Sequence, residues 1–203
     1  MNSFEYFKFN INEISRNDID AAYFLMSPER KEKCDRFRGE KEKIVCIAAD
    51  MLLRKLLSER TGLSQNEIRF YEGNNGKPYL SDLSYFFNIS HAGDYIAIAL
   101  CKDAEIGIDI EKIRPVRHRL LSHFCTDSDM DFIFGDKKEL FSDEVIEDRE
   151  ILTRVFRVWT YKEAYVKSIG ESILEYAKMI SYDEGNCVET RFKEYRQCIV
   201  VRD

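Results

Sequence analysis

The chain has 203 residues, of which 44% are hydrophobic, 13% aromatic and 33% charged, with only three Pro and nine Gly; this globular mixture excludes disordered, collagen-like and low-complexity character. The length suffices for one large domain or two of about 100 residues with a real core. With 31 Lys and Arg against 37 Asp and Glu the formal charge is −6, which excludes polyanion binding through a wholly basic body and nucleic acid as a partner, so any anion site must be a local cluster.

The amino terminus, MNSFEYFKFNINEISRND, lacks a basic flank followed by an apolar run, so no secretory signal or membrane span is expected there. The apolar stretch Tyr95 to Cys101 is too short to cross a bilayer, and the chain reads as soluble, intracellular and cytoplasmic, with no membrane partner. Six cysteines, at 34, 46, 101, 125, 187 and 198, form no Cys-x-x-Cys pair, which predicts reduced, partly buried thiols.

From Ser27, SPERKEKCDRFRGEKEK gives way to IVCIAADMLLRKLLSERTGL, a pattern that predicts two successive helices, the second ending near Gly62. A short strand is expected over Ile68 to Tyr71, then a turn at Gly73-Asn-Asn-Gly-Lys-Pro78. Strands are predicted over Phe86 to Ile89, Tyr95 to Cys101 and Ile106 to Glu111. After Pro115 an amphipathic segment, VRHRLLSHFC, leads into residues 127–150, where ten Asp or Glu stand against three Lys or Arg and predict a solvated helix or loop. A long helix from about Ile151 to Ile169 stops at Gly170, and strands over Lys178 to Tyr182 and Glu189 to Val201 flank a turn at Glu184-Gly-Asn186. Helices followed by strands thus occur twice, which favours a two-lobed α+β molecule, residues 1–101 and 102–203.

Alternation in Glu105-Ile-Gly-Ile-Asp-Ile-Glu111 puts three isoleucines on one face and Gly107, Asp109 and Glu111 on the other. Asp109 and Glu111 then lie roughly 6 to 7 Å apart along the strand, close enough to converge on one cation. Oxygen-only ligation suits Mg²⁺ or Mn²⁺ rather than zinc. In the helix RVFRVWTYKEAYVKSIG, Val155, Val158, Trp159, Val166 and Ile169 form an apolar stripe with Glu163 on its border and Lys167 one turn further on. Lys162 projects from inside that stripe, which predicts a structural role in which it snorkels or pairs. Asn88-Ile-Ser90-His91-Ala92 sits where a strand meets a turn, and Lys77 projects from the Gly-Lys-Pro corner. Arg30, Lys31, Lys33, Arg36 and Arg38 supply local positive charge. Each feature alone also reads as an ordinary solvated or structural one.

In order, SPERKEKCDRF, DMLLR, NNGKP, FNISHAGDYIAIAL, IGIDIE and VWTYKEAYVKSIG resemble the Sfp-type 4′-phosphopantetheinyl transferases, which activate surfactin synthetase and similar carrier proteins. The resemblance implies an α+β fold of two similar lobes related by a pseudo-twofold axis, each a small, mainly antiparallel sheet packed with helices. It implies that Asp109, Glu111 and Glu163 hold Mg²⁺ with the coenzyme A pyrophosphate, and that Arg30, Lys33, Lys77, Ser90, His91 and Lys167 contact the nucleotide or its phosphates. Cys46 aligns with a hydroxyl residue near a CoA phosphate and would be a weaker donor. The implied reaction moves phosphopantetheine from coenzyme A to a serine of an acidic apo acyl or peptidyl carrier protein and releases 3′,5′-ADP. Glu163 or Glu111 takes the serine proton, and Lys167 stabilises charge. Polyketide, non-ribosomal peptide or antibiotic synthesis, fatty-acid synthesis and lysine synthesis are all open as pathways, and a monomer is expected. Arg114, Arg117, Arg119 and Leu120, just beyond the metal strand, are expected to dock the carrier.

The chain departs from the family pattern at Arg30, Cys46, Ala92 and Gly170-Glu171-Ser172-Ile173, and its carboxyl-terminal lobe is short against that pattern. Two other classes stay open: a non-catalytic CoA or carrier binder, and a metal-dependent phosphohydrolase built on the same carboxylates.

Overall fold

The computed structural model describes residues 3–135 and 144–202. The chain begins with strand β1 (Phe4–Asn10) and helix α1 (Arg16–Leu25), then α2 (Pro28–Asp35) and α3 (Glu40–Thr61). Ser27 caps α2 by accepting the Arg30 N–H, with Pro28 in the first turn, and Gly62 ends α3 in the left-handed region at φ 78°. Strands β2 (Phe70–Glu72) and β3 (Pro78–Leu80) pair around the 73–78 turn, and β4 (Phe86–Ala92) and β5 (Tyr95–Cys101) form a hairpin. The second half runs β6 (Glu105–Lys112), β7 (Val116–Arg117), α4 (Asp127–Phe134), β8 (Val145–Ile146), α5 (Arg149–Ile169), α6 (Ile173–Tyr176), β9 (Val188–Phe192) and β10 (Tyr195–Arg202).

Two three-stranded antiparallel sheets carry the architecture, in the orders β1-β5-β4 and β6-β10-β9. In both, the first strand pairs with the last, and helices intervene before the closing hairpin. Alternation decides which layer each face meets. Ile96, Ile98 and Leu100 of β5 cluster with Leu52, Leu53, Leu56 and Leu57 of α3. Ala97, Ala99 and Cys101 on the other face of β5 cluster with Ile106, Ile108 and Ile110 of β6. The far face of the second sheet, Cys198 and Val200, meets Tyr161 and Ala164 of α5. The layers therefore run α3, first sheet, second sheet, α5.

Gly107 sets how closely α5 approaches β6. A Cβ there would collide with the Ala164 carbonyl oxygen and come within 2.6 Å of the Ser168 nitrogen, both backbone atoms that cannot swing aside. Gly107→Ala is therefore expected to cost about 1–3 kcal/mol of stability as overpacking, read as a lower urea midpoint.

Several expectations need correction. No strand forms over Lys178 to Tyr182: Ala177–Met179 is a single helical turn, and the Tyr182 N–H donates to Asp129 Oδ1 at 2.8 Å instead of to a neighbouring strand. The single strand expected over Glu189 to Val201 is a hairpin, β9 and β10, reversing at Lys193 and Glu194 with Lys193 at φ 50°, while the expected turn at 184–186 is present as a 3-10 turn. The segment after Pro115 is the short strand β7 followed by a 3-10 turn over His118–His123. Within the acidic region, Asp129, Ile133, Phe134 and Ile146 are buried instead of solvated; its residues 136–143 lie outside the described ones. The cysteines are not all reduced: Cys34 and Cys46 form a disulfide, Cα to Cα 5.9 Å. The antiparallel packing of α2 on α3 brings these positions together, and one turn away it also pairs Arg30 with Asp50. Among the described residues, no helix is long and apolar enough to cross a membrane.

Candidate active site

Strand β6 and helix α5 bring the predicted chemistry together. Asp109 lies on the face of β6 turned to α5 and is only 4% exposed. Its Oδ1 accepts from Lys167 Nζ at 2.6 Å and from Ser90 Oγ at 2.8 Å. Lys167 also donates to Ser90 Oγ at 3.2 Å and stands 4.0 Å from Glu163 Oε2, the preceding turn of the same helix. Although burial opposes its charge, Asp109 and Glu163 hold the Lys167 ammonium above its ordinary range. Burial pushes Glu163 up to about 7, against the pull of Lys167 and with the added repulsion of Asp109 and Glu111. Burial and then Asp109 likewise raise Glu111, whose Oε1 accepts from Trp159 Nε1 at 3.2 Å.

Among the described residues, no three carboxylate, imidazole or thiol groups stand as a ready-made cation cage, and Asp109 is engaged by Lys167. The donor set nonetheless fits a hard divalent cation. All candidate donors are oxygens, Asp109 Oδ2 is buried without a partner, and Glu111 and Glu163 carry repulsion that a cation would relieve.

Beside Glu111 opens an apolar cavity of about 360 Å³ lined by Arg114, Leu120, Phe124, Trp159, Ile173 and Leu174, among others. Lys162, fully buried, braces its walls: its ammonium donates to the Phe124 and Ala177 carbonyl oxygens at 2.7 Å each and pairs with Asp129. This is the structural role expected of it, met by pairing.

Residues 13–103 match the family model described as 4′-phosphopantetheinyl transferase, N-terminal, and residues 105–198 match that of the 4′-phosphopantetheinyl transferase superfamily. The chain is 30% identical to the 4′-phosphopantetheinyl transferase Sfp of Bacillus subtilis (strain 168) over 162 residues, which is 79% of this chain and 67% of Sfp. The chain belongs to the 4′-phosphopantetheinyl transferase family. It is also 30% identical to the 4′-phosphopantetheinyl transferase psf-1 of Bacillus pumilus, over 78% of this chain and 64% of that one. With the L-aminoadipate-semialdehyde dehydrogenase-phosphopantetheinyl transferase of Homo sapiens it shares 29% identity, over 77% of this chain and 52% of the human one.

Most of the other residues expected to contact coenzyme A are already engaged within the chain. Arg30 Nε is 3.3 Å from Asp50 Oδ1, and the exposed Lys33 is 3.4 Å from Glu72. His91 is exposed, its pKa lowered by partial burial of the ring and then by Lys167. Lys77 is not presented as a free cation: it is buried and donates to Glu105 Oε2 at 2.6 Å and to the Ser168 carbonyl at 2.8 Å, strapping the 73–78 turn to β6 and α5. Cys46, in its disulfide, has no thiol proton to offer a phosphate. The unusual Glu171 accepts from Asn75 Nδ2 at 2.9 Å, which accounts for a carboxylate at that edge. Arg114, Arg117, Arg119 and Leu120 are all exposed, with Arg114 and Leu120 on the apolar cavity.

Asp129 beneath Lys162 and Glu105 against Lys77 have partners that local periodicity does not read, and Asn88 and Trp159, though placed on a strand end and an apolar stripe, gave no sign of their partners, the Ile108 N–H and Glu111. Asp50 carries a trace, since its spacing of four to Arg54 marks a helical ion pair, observed at 2.8 Å.

Proposed function

We propose that this chain transfers the 4′-phosphopantetheine group of coenzyme A to a serine hydroxyl of an apo acyl or peptidyl carrier protein, in a Mg²⁺-dependent reaction that releases 3′,5′-ADP. The observation that carries this reading is the meeting of Asp109, Glu163 and Lys167, from two distant stretches of chain, within one cluster. Asp109, Glu111 and Glu163 would hold the metal, which when bound supplies charge neutralisation to the diphosphate. The serine oxygen forms a bond to the phosphorus that bears the pantetheine arm, the bond from that phosphorus to the oxygen of 3′,5′-ADP breaks, and the serine proton passes to a carboxylate. Glu163 is the favoured acceptor, since Glu111 is engaged by Trp159. Lys167 stabilises the charge on the phosphate, and Arg30, Lys33 and His91 hold the nucleotide end.

The matching strand orders of the two sheets support a reading as two lobes, 1–101 and 102–203, related by a pseudo-twofold axis with the substrate between them. We place the enzyme in the cytoplasm as a monomer, where coenzyme A and apo carriers are available.

Incubation with CoA, Mg²⁺ and a panel of apo carriers, followed by intact-mass spectrometry, tests the reaction. A mass gain of one phosphopantetheine group on a carrier is the expected result. Phosphate release from CoA without a carrier would select a phosphohydrolase instead, and CoA binding without transfer a non-catalytic binder.

Carrier docking is assigned to Arg114, Arg117 and Arg119 beside Leu120 and the apolar cavity, a positive and apolar patch suited to an acidic carrier helix in a chain of net charge −6. The double variant Arg117→Glu/Arg119→Glu is expected to raise the carrier KM roughly tenfold at low salt, with kcat and the KM for CoA unchanged and the effect shrinking as salt screens the charges. An unaltered carrier KM would remove these residues from the interface.

A further inference from the structure

We propose that Asn88 and Ser90 are positioning residues for Asp109, their side chains clasping the β6 backbone on either side of that carboxylate in place of a missing strand. The proposal rests on the reading of Asp109 as the metal and diphosphate carboxylate. Among the described residues, strand β6 is an edge strand with β10 its one neighbour in the sheet. Alternate N–H groups of an edge strand point away from that neighbour and, if buried, need another acceptor. Ile108 and Ile110 are both fully buried, and β4, itself the edge of the first sheet, supplies what they lack. Asn88 Oδ1 accepts from the Ile108 N–H at 3.0 Å, and Ser90 Oγ accepts from the Ile110 N–H at 3.3 Å. The two acceptors are two residues apart on β4 and the two donors two apart on β6, so one parallel register serves both, and Asp109 is the residue between the donors.

Ser90 adds a second hold. Its hydroxyl proton goes to Asp109 Oδ1, while its lone pairs receive the Ile110 N–H and Lys167 Nζ. A serine so engaged has no proton left for a phosphate. Its work is to aim Asp109, which differs from the phosphate contact expected of it. Asn88 is the cleaner probe of the clasp because it is buried beneath β6 and contacts the backbone there, not the reacting groups. The same register explains why an Asn-x-Ser strand accompanies an Ile-Asp-Ile strand in this chain.

The test compares wild type with Asn88→Leu, which keeps the side chain's bulk but lacks the acceptor, and Asn88→Asp, which keeps the acceptor. The readouts are kcat, both KM values, the Mg²⁺ concentration for half-maximal rate, and the rise in melting temperature produced by Mg²⁺ plus CoA in the absence of carrier. Asn88→Leu is expected to raise the half-activating Mg²⁺ concentration about 10-fold or more, as for loss of a partner that orients a metal ligand. It should also lower kcat with little change in carrier KM and shrink the Mg²⁺ and CoA melting shift, and Asn88→Asp should restore most of each. If Asn88→Leu does not fold, Asn88→Ser, too short to reach the Ile108 N–H, is read in the same way. A variant that melts lower yet keeps the wild-type Mg²⁺ dependence, kcat and melting shift would reduce the clasp to a mere seam and overturn the proposal. Wild type that fails to modify any carrier would instead sink the functional reading, and the melting shift would still report on the clasp.

Discussion

Asp109→Ala is expected to lower kcat for carrier modification by at least about 10²-fold, because the carboxylate proposed to hold the diphosphate charge is gone and no neighbour can replace it. The fold should survive. The core-facing side of β6 is built by Ile106, Ile108 and Ile110, which the substitution leaves in place. Lys167 is not stranded as a buried lone cation, since its side chain is 28% exposed and Glu163 lies 4.0 Å away. Intact-mass time courses report the first effect and circular-dichroism melts the second. Turnover within about threefold of wild type, less than 1 kcal/mol of barrier, would remove Asp109 from the reaction.

Glu163→Gln is expected to act in opposite directions on activity and stability. As the favoured proton acceptor, Glu163 should contribute about 10²–10⁴-fold to kcat. Its ionisation, however, strains the folded protein when no cation is bound. The ordinary value of 4.5 applies to the unfolded chain, whereas the folded carboxyl sits at about 7. Between these two pH values the folded chain holds a proton that the unfolded chain has released. Stability is therefore fully present below 4.5, declines as pH rises toward 7, and stays at the lower level above it. Glutamine cannot ionise and escapes this loss. In chelator the variant should match wild type near pH 4 and exceed it near pH 8 by on the order of 2–3 kcal/mol, read from urea midpoints. A variant less stable than wild type at pH 8 would show that the ionised carboxylate is held by favourable contacts instead. Gain of stability on loss of function is the usual mark of a site whose charges are arranged for a ligand.

Much of this site was legible before any coordinates. Alternation along Glu105–Glu111 assigned Asp109 to the face opposite three isoleucines, and the isoleucines are fully buried. Helical period along α5 put Lys162 inside the apolar stripe and Glu163 at its border, and Lys162 is fully buried while the Glu163 side chain is 18% exposed. Less legible were the strands without a strong local signal. β1 intersperses Glu5, Lys8 and Asn10 among its aromatics, which weakens its local signal, and it gains its order from pairing with the distant β5. Conversely, Lys178 to Tyr182 has strand-like composition, yet Ala177–Met179 forms a helical turn and the Tyr182 N–H goes to Asp129.

The sequence by itself determined which faces of β6 and α5 are apolar, which carboxylates and cations border them, and the family that this ordered set marks. The faces and their borders follow from periodicity, which depends only on bonds between near neighbours in the chain, and the family from the resemblance that the ordered motifs carry. Tertiary structure alone decided the partners: Lys77 with Glu105 and Ser168, Lys162 with Asp129, Asn88 with the Ile108 N–H, and Cys34 with Cys46. A long side chain or a buried amide takes whichever acceptor the packing of distant elements leaves within about 3 Å, and no local pattern encodes that distance.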